Sequence, residues 1–397
     1  MGLSRRVPGR LRATLVVLVA VAASLGGMPS PARAADPPVN ADPPVITGDP
    51  VFRELLQVSD GSWTPEGLTL TYAWARDGVE IAGETGASLR LGLDDLGHAI
   101  TATVTATDAD QLATLVTTDP VGPVRRATLT LEAPPEVTGL SRYTRLLTAT
   151  PGSWSRKPTS IRYRWLRDGE PIRRATAATY RLAVADVGHR VRVRVTVRRE
   201  GYRKARALSP RRLVRHLVPV RRSVTYSVAT RGRITADLGV FKKQVQQTFA
   251  DPRGWRSAGV ELRRVASGGS FTVVLAQAST VPSFSSGCSA QWSCRVGRYV
   301  IINQTRWLTA SPSWHAHHLP LRGYRHMVVN HETGHWLGHG HVYCAGAGRL
   351  APVMQQQSKS LQGCRHNSWP LPRERWFRSS VKRGWSDLAD RASVQVE

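Results

Sequence analysis

Apolar and polar residues alternate with period two through much of the first half of the chain. In TYAWARDG (71–78) and YRWLRDG (163–169), large apolar residues recur at every second position before an Asp-Gly turn. This is the pattern of a half-buried antiparallel strand running into a hairpin. SLRLGL (88–93) and TYRLAV (179–184) alternate likewise, as do AITATVTATD (99–108) and RVRVRVTVRRE (190–200). Past residue 222 the pattern becomes mixed. SVTYSVAT (223–230), VELRRV (260–265), FTVVLAQ (271–277) and RYVIIN (298–303) read as strands, while Leu238, Phe241, Val245 and Phe249 recur at helical spacing behind a cap at Thr235. Further helices are expected over 321–337 and 373–384, giving one α+β domain over 223–397.

The first half is an internal repeat. Gly61-Ser62-Trp63 returns as Gly152-Ser153-Trp154, Tyr72 and Trp74 as Tyr163 and Trp165, Arg76-Asp77-Gly78 as Arg167-Asp168-Gly169, and Gly97-His98 as Gly188-His189, always 91 residues later. Each copy, 45–122 and 128–210, has the length and strand density of a β-sandwich with a buried Trp on a central strand. The repeats resemble bacterial Ig-like modules, although the inter-sheet disulfide of antibody domains is absent. That resemblance implies a spacer or adhesive role and names no ligand. Residues 35–44 (ADPPVNADPP) read as a Pro-rich linker and 211–222 as a basic linker.

Composition narrows the class. With 397 residues, 12 Trp, 9 Tyr and 6 Phe, neither a single small domain nor a wholly disordered chain fits. The net charge is +27, which attracts polyanions. Arg192 and Arg194 alternate with Val191, Val193 and Val195, so they share a strand face that could grip phosphates, or simply be a solvated face. Stacking aromatics are not interleaved there, which argues against nucleic acid. At the N-terminus Arg5, Arg6, Arg10 and Arg12 precede the apolar run 13–25 and the small-x-small site Ala32-Arg33-Ala34. This is the layout of a secretory signal peptide over 1–34. No later apolar stretch is long enough for a membrane span, so a secreted or wall-associated protein is expected. The four cysteines, Cys288, Cys294, Cys344 and Cys364, suit an exported chain and allow three disulfide pairings.

The chemistry lies in HETGHWLGHGH (331–341), an HExxHxxGxxH pattern. On a helix His331 and His335 stand one turn apart on one face and can reach one ion. Glu332, one step round, can take a proton from a metal-activated water. Gly338 lets the helix end in a turn costly for other residues, and that turn brings back His341 as the third ligand. Three neutral imidazoles leave a fourth tetrahedral position open, the mark of a catalytic zinc site.

This pattern resembles that of the metzincin zinc endopeptidases. The resemblance implies a zinc ion on His331, His335 and His341, Glu332 as general base and then proton donor, and Met354 in the Met-turn beneath the metal. Some metzincins carry a Tyr two residues after that Met; here Gln356 stands there, so His339 or Tyr343 is left as an oxyanion donor. More narrowly, the region is similar to a family of uncharacterised exported proteins of high-GC Gram-positive bacteria. Within this arrangement a Cys344–Cys364 bond would tie the third-ligand loop to the Met-turn and Cys288–Cys294 would close a small loop; the alternative is a Cys on zinc. The family's substrates lie along an edge strand, for which RYVIINQT (298–305) is the candidate, an ordinary internal strand being the alternative. The cluster His315, His317 and His318 reads as a surface loop, with a second metal site as the alternative.

The expected protein is therefore multidomain: two all-β Ig-like sandwiches, then an α+β metzincin-like zinc domain. Its expected function is that of a secreted zinc-dependent endopeptidase acting on protein or peptide. The alternative is an envelope-binding protein that holds anionic wall polymers through basic Ig-like modules, with an idle or structural metal domain.

Overall fold

A computed structural model describes residues 36–378 and the backbone of 395–396. The expected signal peptide and the helix expected at 373–384, from 379 onward, lie outside these residues. The described residues divide after Arg126 into two compact units.

In the first unit one antiparallel sheet orders Ile46–Thr47, Leu55–Val58 and Ser88–Arg90, and a second orders Val79–Glu80, Thr69–Arg76, Ile100–Thr107 and Ala113–Thr117. Inward side chains of the first (Leu56, Val58, Leu89) and of the second (Trp74, Ile100, Ala102, Val104) make one core. This is a β-sandwich. The second unit repeats it with Val137–Thr138, Leu146–Ala149 and Thr179–Arg181 against Glu170–Pro171, Ser160–Arg167, Arg190–Arg198 and Ala205–Leu208. The repeated motif is explained by what its residues hold. The fully buried Trp74 donates its indole N–H to Gly86 O at 2.8 Å, and Trp165 to Ala177 O at 3.0 Å. Asp95 and Asp186 are buried, accept from the backbone of Gly92 and Ala183, and pair with Arg76 and Arg167. A buried carboxylate needs such partners, so Arg-Asp-Gly and the later Asp recur together.

Two linkers expected from composition belong to the sandwiches. In 35–44, Val39–Asp42 pairs with Ser62–Thr64, and the equivalent Leu131–Ala133 pairs with Ser153–Trp154. Prolines flank this short strand, as an edge position permits. In 211–222, Arg212–Leu213 pairs with Arg190–Val191. The Arg212 guanidinium also bonds Ser141 Oγ at 2.8 Å and Gly139 O at 2.9 Å, so part of the basic run is structural.

The α+β domain comprises β1 (Arg222–Arg231), α1 (Leu238–Ala250), β2 (Val260–Arg264), β3 (Phe271–Ala276), β4 (Cys294–Val296), β5 (Tyr299–Asn303), α2 (Gln304–Thr309), α3 (Pro312–His315), α4 (Leu321–Trp336) and β6 (Gln395–Val396). The sheet order is β2-β1-β3-β5-β4-β6, parallel through the first four and antiparallel at β4 and β6. β3 is buried on both faces, hence a sequence that is apolar at every position but Thr272. Phe271, Val273 and Leu275 pack under Phe241, Val245 and Phe249 of α1 and Met327 and Val328 of α4. The other face carries Val274, Ile301 and the Cys288–Cys294 pair. Three expectations are corrected. The cap of α1 is Asp237, which accepts from Val240 N at 2.9 Å, and not Thr235. The candidate edge strand RYVIINQT contributes β5, which lies inside the sheet between β3 and β4. Residues 372–374 form one 3₁₀ turn and 375–378 are not helical.

Candidate metal centre

Helix α4 carries the first half of the motif along its buried side. His331 and Glu332 are fully buried and His335 is 1% exposed. The helix ends at Trp336, and Gly338 follows with φ +103°. Gly338 N donates to His335 O at 3.1 Å and His339 N to Gly334 O at 3.0 Å, the paired bonds that close a helix through a left-handed glycine. The chain turns there and delivers His341, held by Val342 N donating to Met354 O at 3.2 Å.

The imidazoles are fixed from behind. His331 Nδ1 donates to Val353 O at 2.8 Å, and His335 Nδ1 to His339 O at 2.8 Å. A carbonyl can only accept, so in each neutral ring the proton sits on Nδ1 and Nε2 offers a lone pair. Burial, with His341 nearby, pushes the His331 pKa down to about 3. Burial also holds His335 well below and His341 below the ordinary range. Yet His335 Nε2 lies 3.1 Å from both His331 Nε2 and His341 Nε2. Between His331 and His335 this turns lone pair towards lone pair, an arrangement that a cation relieves. Tetrahedral ligation at the usual zinc–imidazole length puts ligand nitrogens roughly 3.3 Å apart, close to what these rings show. The ligand atoms of the three lie within 4.8 Å of one another, and they form the one such His/Cys/Asp/Glu cluster among the described residues. The donor set therefore fits zinc.

Met354 packs beneath, against the helix backbone. A Cβ at Gly334 would overlap Met354 Sδ and the Trp255 ring, so the glycine inside the motif is a close-approach position. Gly334→Ala is expected to destabilise the domain by about 1–3 kcal/mol through overpacking, despite a helix-propensity gain of about 1 kcal/mol. The cost should shrink in a Met354→Ala background. Urea denaturation of the four species checks this; a stabilised Gly334→Ala protein would show that the contact is slack.

Glu374 was not visible as a site residue. Its buried carboxylate accepts from Val353 N at 3.0 Å, Met354 N at 2.9 Å and Leu371 N at 2.7 Å. Burial raises its pKa while the three N–H groups lower it. Glu374 thus fixes the turn whose Val353 carbonyl orients His331. The only signal in sequence is its isolation: it is the first acid after Glu332.

The disulfides are Cys288–Cys294 and Cys344–Cys364, so no Cys is left to bind metal. The second closes a 20-residue separation, worth roughly 3 kcal/mol of unfolded-chain entropy. Two alternatives left open by the sequence are not met here. His339 donates Nε2–H to Trp376 O at 2.9 Å and stacks between Trp255 and Trp376, so it is committed to structure and not to an oxyanion. His315, His317 and His318 do not converge: His315 bonds Thr309 O and His317 bonds Ser313 O. Tyr343 is 74% exposed. Arg295 of β4 is buried beside the helix; burial lowers its pKa and the Glu332 carboxylate opposes that shift.

A family described as "Protein of unknown function (DUF3152)" matches residues 219–368. The match covers all three imidazoles and Met354, and neither sandwich. No curated protein matches the chain. Among solved structures the chain is similar to three N-terminal domains of the bacteriophage RB49 outer capsid protein Hoc (18% identity, TM-score 0.22, 47% of this chain and 65% of that one). It is also similar to an ice-binding adhesin of an Antarctic bacterium (12%, 0.22, 43% and 48%) and to the ICAM-5 D1–D4 ectodomain fragment (15%, 0.25, 43% and 53%). The chain thus spans about half to two thirds of those proteins. No helix among the described residues is long and apolar enough to cross a membrane.

Proposed function

We propose that this chain is an exported zinc-dependent endopeptidase whose C-terminal domain is metzincin-like and whose two Ig-like sandwiches act as spacers. The observation that supports this most is the convergence of the His331, His335 and His341 nitrogens, with the buried Glu332 following His331 in the chain. These three side chains would hold the ion. When bound, zinc would supply Lewis-acid polarisation of the scissile carbonyl and of a water molecule. The chain's own residues do the rest. Nδ1–H bonds to Val353 and His339 keep two imidazoles neutral and aimed. The Glu332 carboxylate takes up a proton from water and returns it to the leaving amine. Met354, seated on Gly334, holds the floor.

Metal analysis of the purified full chain, paired with a peptide-library cleavage screen with and without chelator, tests the reading. One zinc per chain, cleavage lost on chelation and restored by zinc is the expected result. A folded chain that takes up no zinc, or that cleaves equally well in chelator, overturns it.

A further inference from the structure

The two sandwiches share strands, register and core, yet their charges are opposite. Residues 45–122 hold 12 Asp and Glu against 3 Arg and no Lys, whereas 128–210 hold 6 acids against 18 Lys and Arg. An Arg-rich chain as such does not explain this, because both copies lie in one chain. Part of the difference lies on one surface. In the second sandwich Arg164 stands directly opposite Arg194, and Arg162 and Arg206 flank Thr196 on either side. The equivalent positions in the first sandwich are Ala73 opposite Thr103, and Thr71 and Leu115 flanking Thr105. Neutral residues therefore serve this fold, and facing arginines cost it stability.

Arg162, Arg164, Arg194, Arg198, Lys204 and Arg206 line a cleft of about 420 Å³ on this outer face. Among the described residues none of the six forms an ion pair with a carboxylate. Trp165 packs on the inner side with Val193 and Val195, and the half-buried Tyr163 contributes to the cleft wall. The face offers six cationic side chains against one half-buried aromatic, a balance that favours phosphate over stacked bases. Two guanidiniums on opposite strands can share the several oxygens of one phosphate, whereas a planar carboxylate suits a single fork.

We propose that the outer sheet face of the second sandwich binds a base-free polymer of phosphate groups along this cleft. The assignment does not depend on the zinc chemistry of the C-terminal domain.

The test is binding of the full chain to inorganic polyphosphate and to poly(glycerol phosphate), with polygalacturonate and single-stranded DNA of matched charge as comparison arms. The variant Arg162→Thr/Arg164→Ala/Arg194→Thr installs the residues of the first sandwich at the same register. It should keep the parent's circular dichroism and melt no lower than the parent, lose at least tenfold in affinity for both phosphate polymers, and show a salt slope shallower by about 2. Arg194→Thr alone should lower that slope by about 1, which keeps the test available if the triple variant misfolds. The charge-matched control Arg231→Thr/Arg233→Thr/Lys243→Ala should stay within threefold of the parent. An equal loss in the control would assign binding to net charge and overturn the proposal, as would no loss in the triple variant. Tighter binding of DNA or polygalacturonate would overturn the ligand class. Unchanged polymer binding with lost salt-dependent self-association would hand the face to the acidic sandwich of a second copy, and overturn it too.

Discussion

Replacing Glu332 by Gln is expected to slow peptide hydrolysis by about 10²–10⁴-fold, the usual contribution of a positioned proton acceptor, while zinc content stays at one ion per chain. The side chain is fully buried on α4, and Gln keeps its size and shape, so folding should be preserved. Gln cannot take up the proton. On the proposed reading the ligands of the ion are on other residues, so metal binding and turnover should separate. Measured kcat/KM beside metal content decides the matter: a Glu332→Gln protein as fast as the parent would remove the carboxylate from the chemistry.

His335→Ala is expected to do the reverse and strike the ion. Both ring nitrogens are engaged, Nδ1 with His339 O and Nε2 facing the other two imidazoles. Changing a residue that merely orients a ligand costs about 10–100-fold in metal affinity, so loss of a ligand should cost at least 100-fold. On the proposed reading, free zinc at about a hundred times Kd should stabilise the parent by roughly 2.7 kcal/mol, and the variant should keep no more than about 0.4 kcal/mol of that at the same zinc concentration. Its apo form should also be weaker by about 1–3 kcal/mol, because the His339 carbonyl loses its buried donor. Competition titration of zinc, together with melting curves, reads both effects. Parent-like affinity in His335→Ala would place the ion elsewhere.

The parts of the fold readable in advance were those that repeat or alternate over enough residues. The 91-residue offset exposed both sandwiches because the Arg76–Asp95 and Arg167–Asp186 braces demand the same residues twice. α4 was readable because the motif requires a helix. β4 was missed because Cys294–Val296 is three residues long, too short for alternation to register. The strand in 35–44 was hidden by its flanking prolines, and Arg212–Leu213 by the charge around it. RYVIINQT was seen as a strand, but edge and interior stayed open, since strand order depends on contacts far apart in sequence. The imidazole set came from spacing alone. Glu374 did not, because its role is to accept from backbone N–H groups, which any sequence supplies.

That carboxylate also sets a boundary for anyone cutting the gene. A fragment halted at residue 368, where the family match stops, would retain every imidazole but strip the acceptor from Val353 N and Met354 N and the Trp376 carbonyl from His339. Such a truncation would hold all the letters of the zinc signature on a loosened seat, and weak metal uptake by it would report a missing buttress and not a missing function.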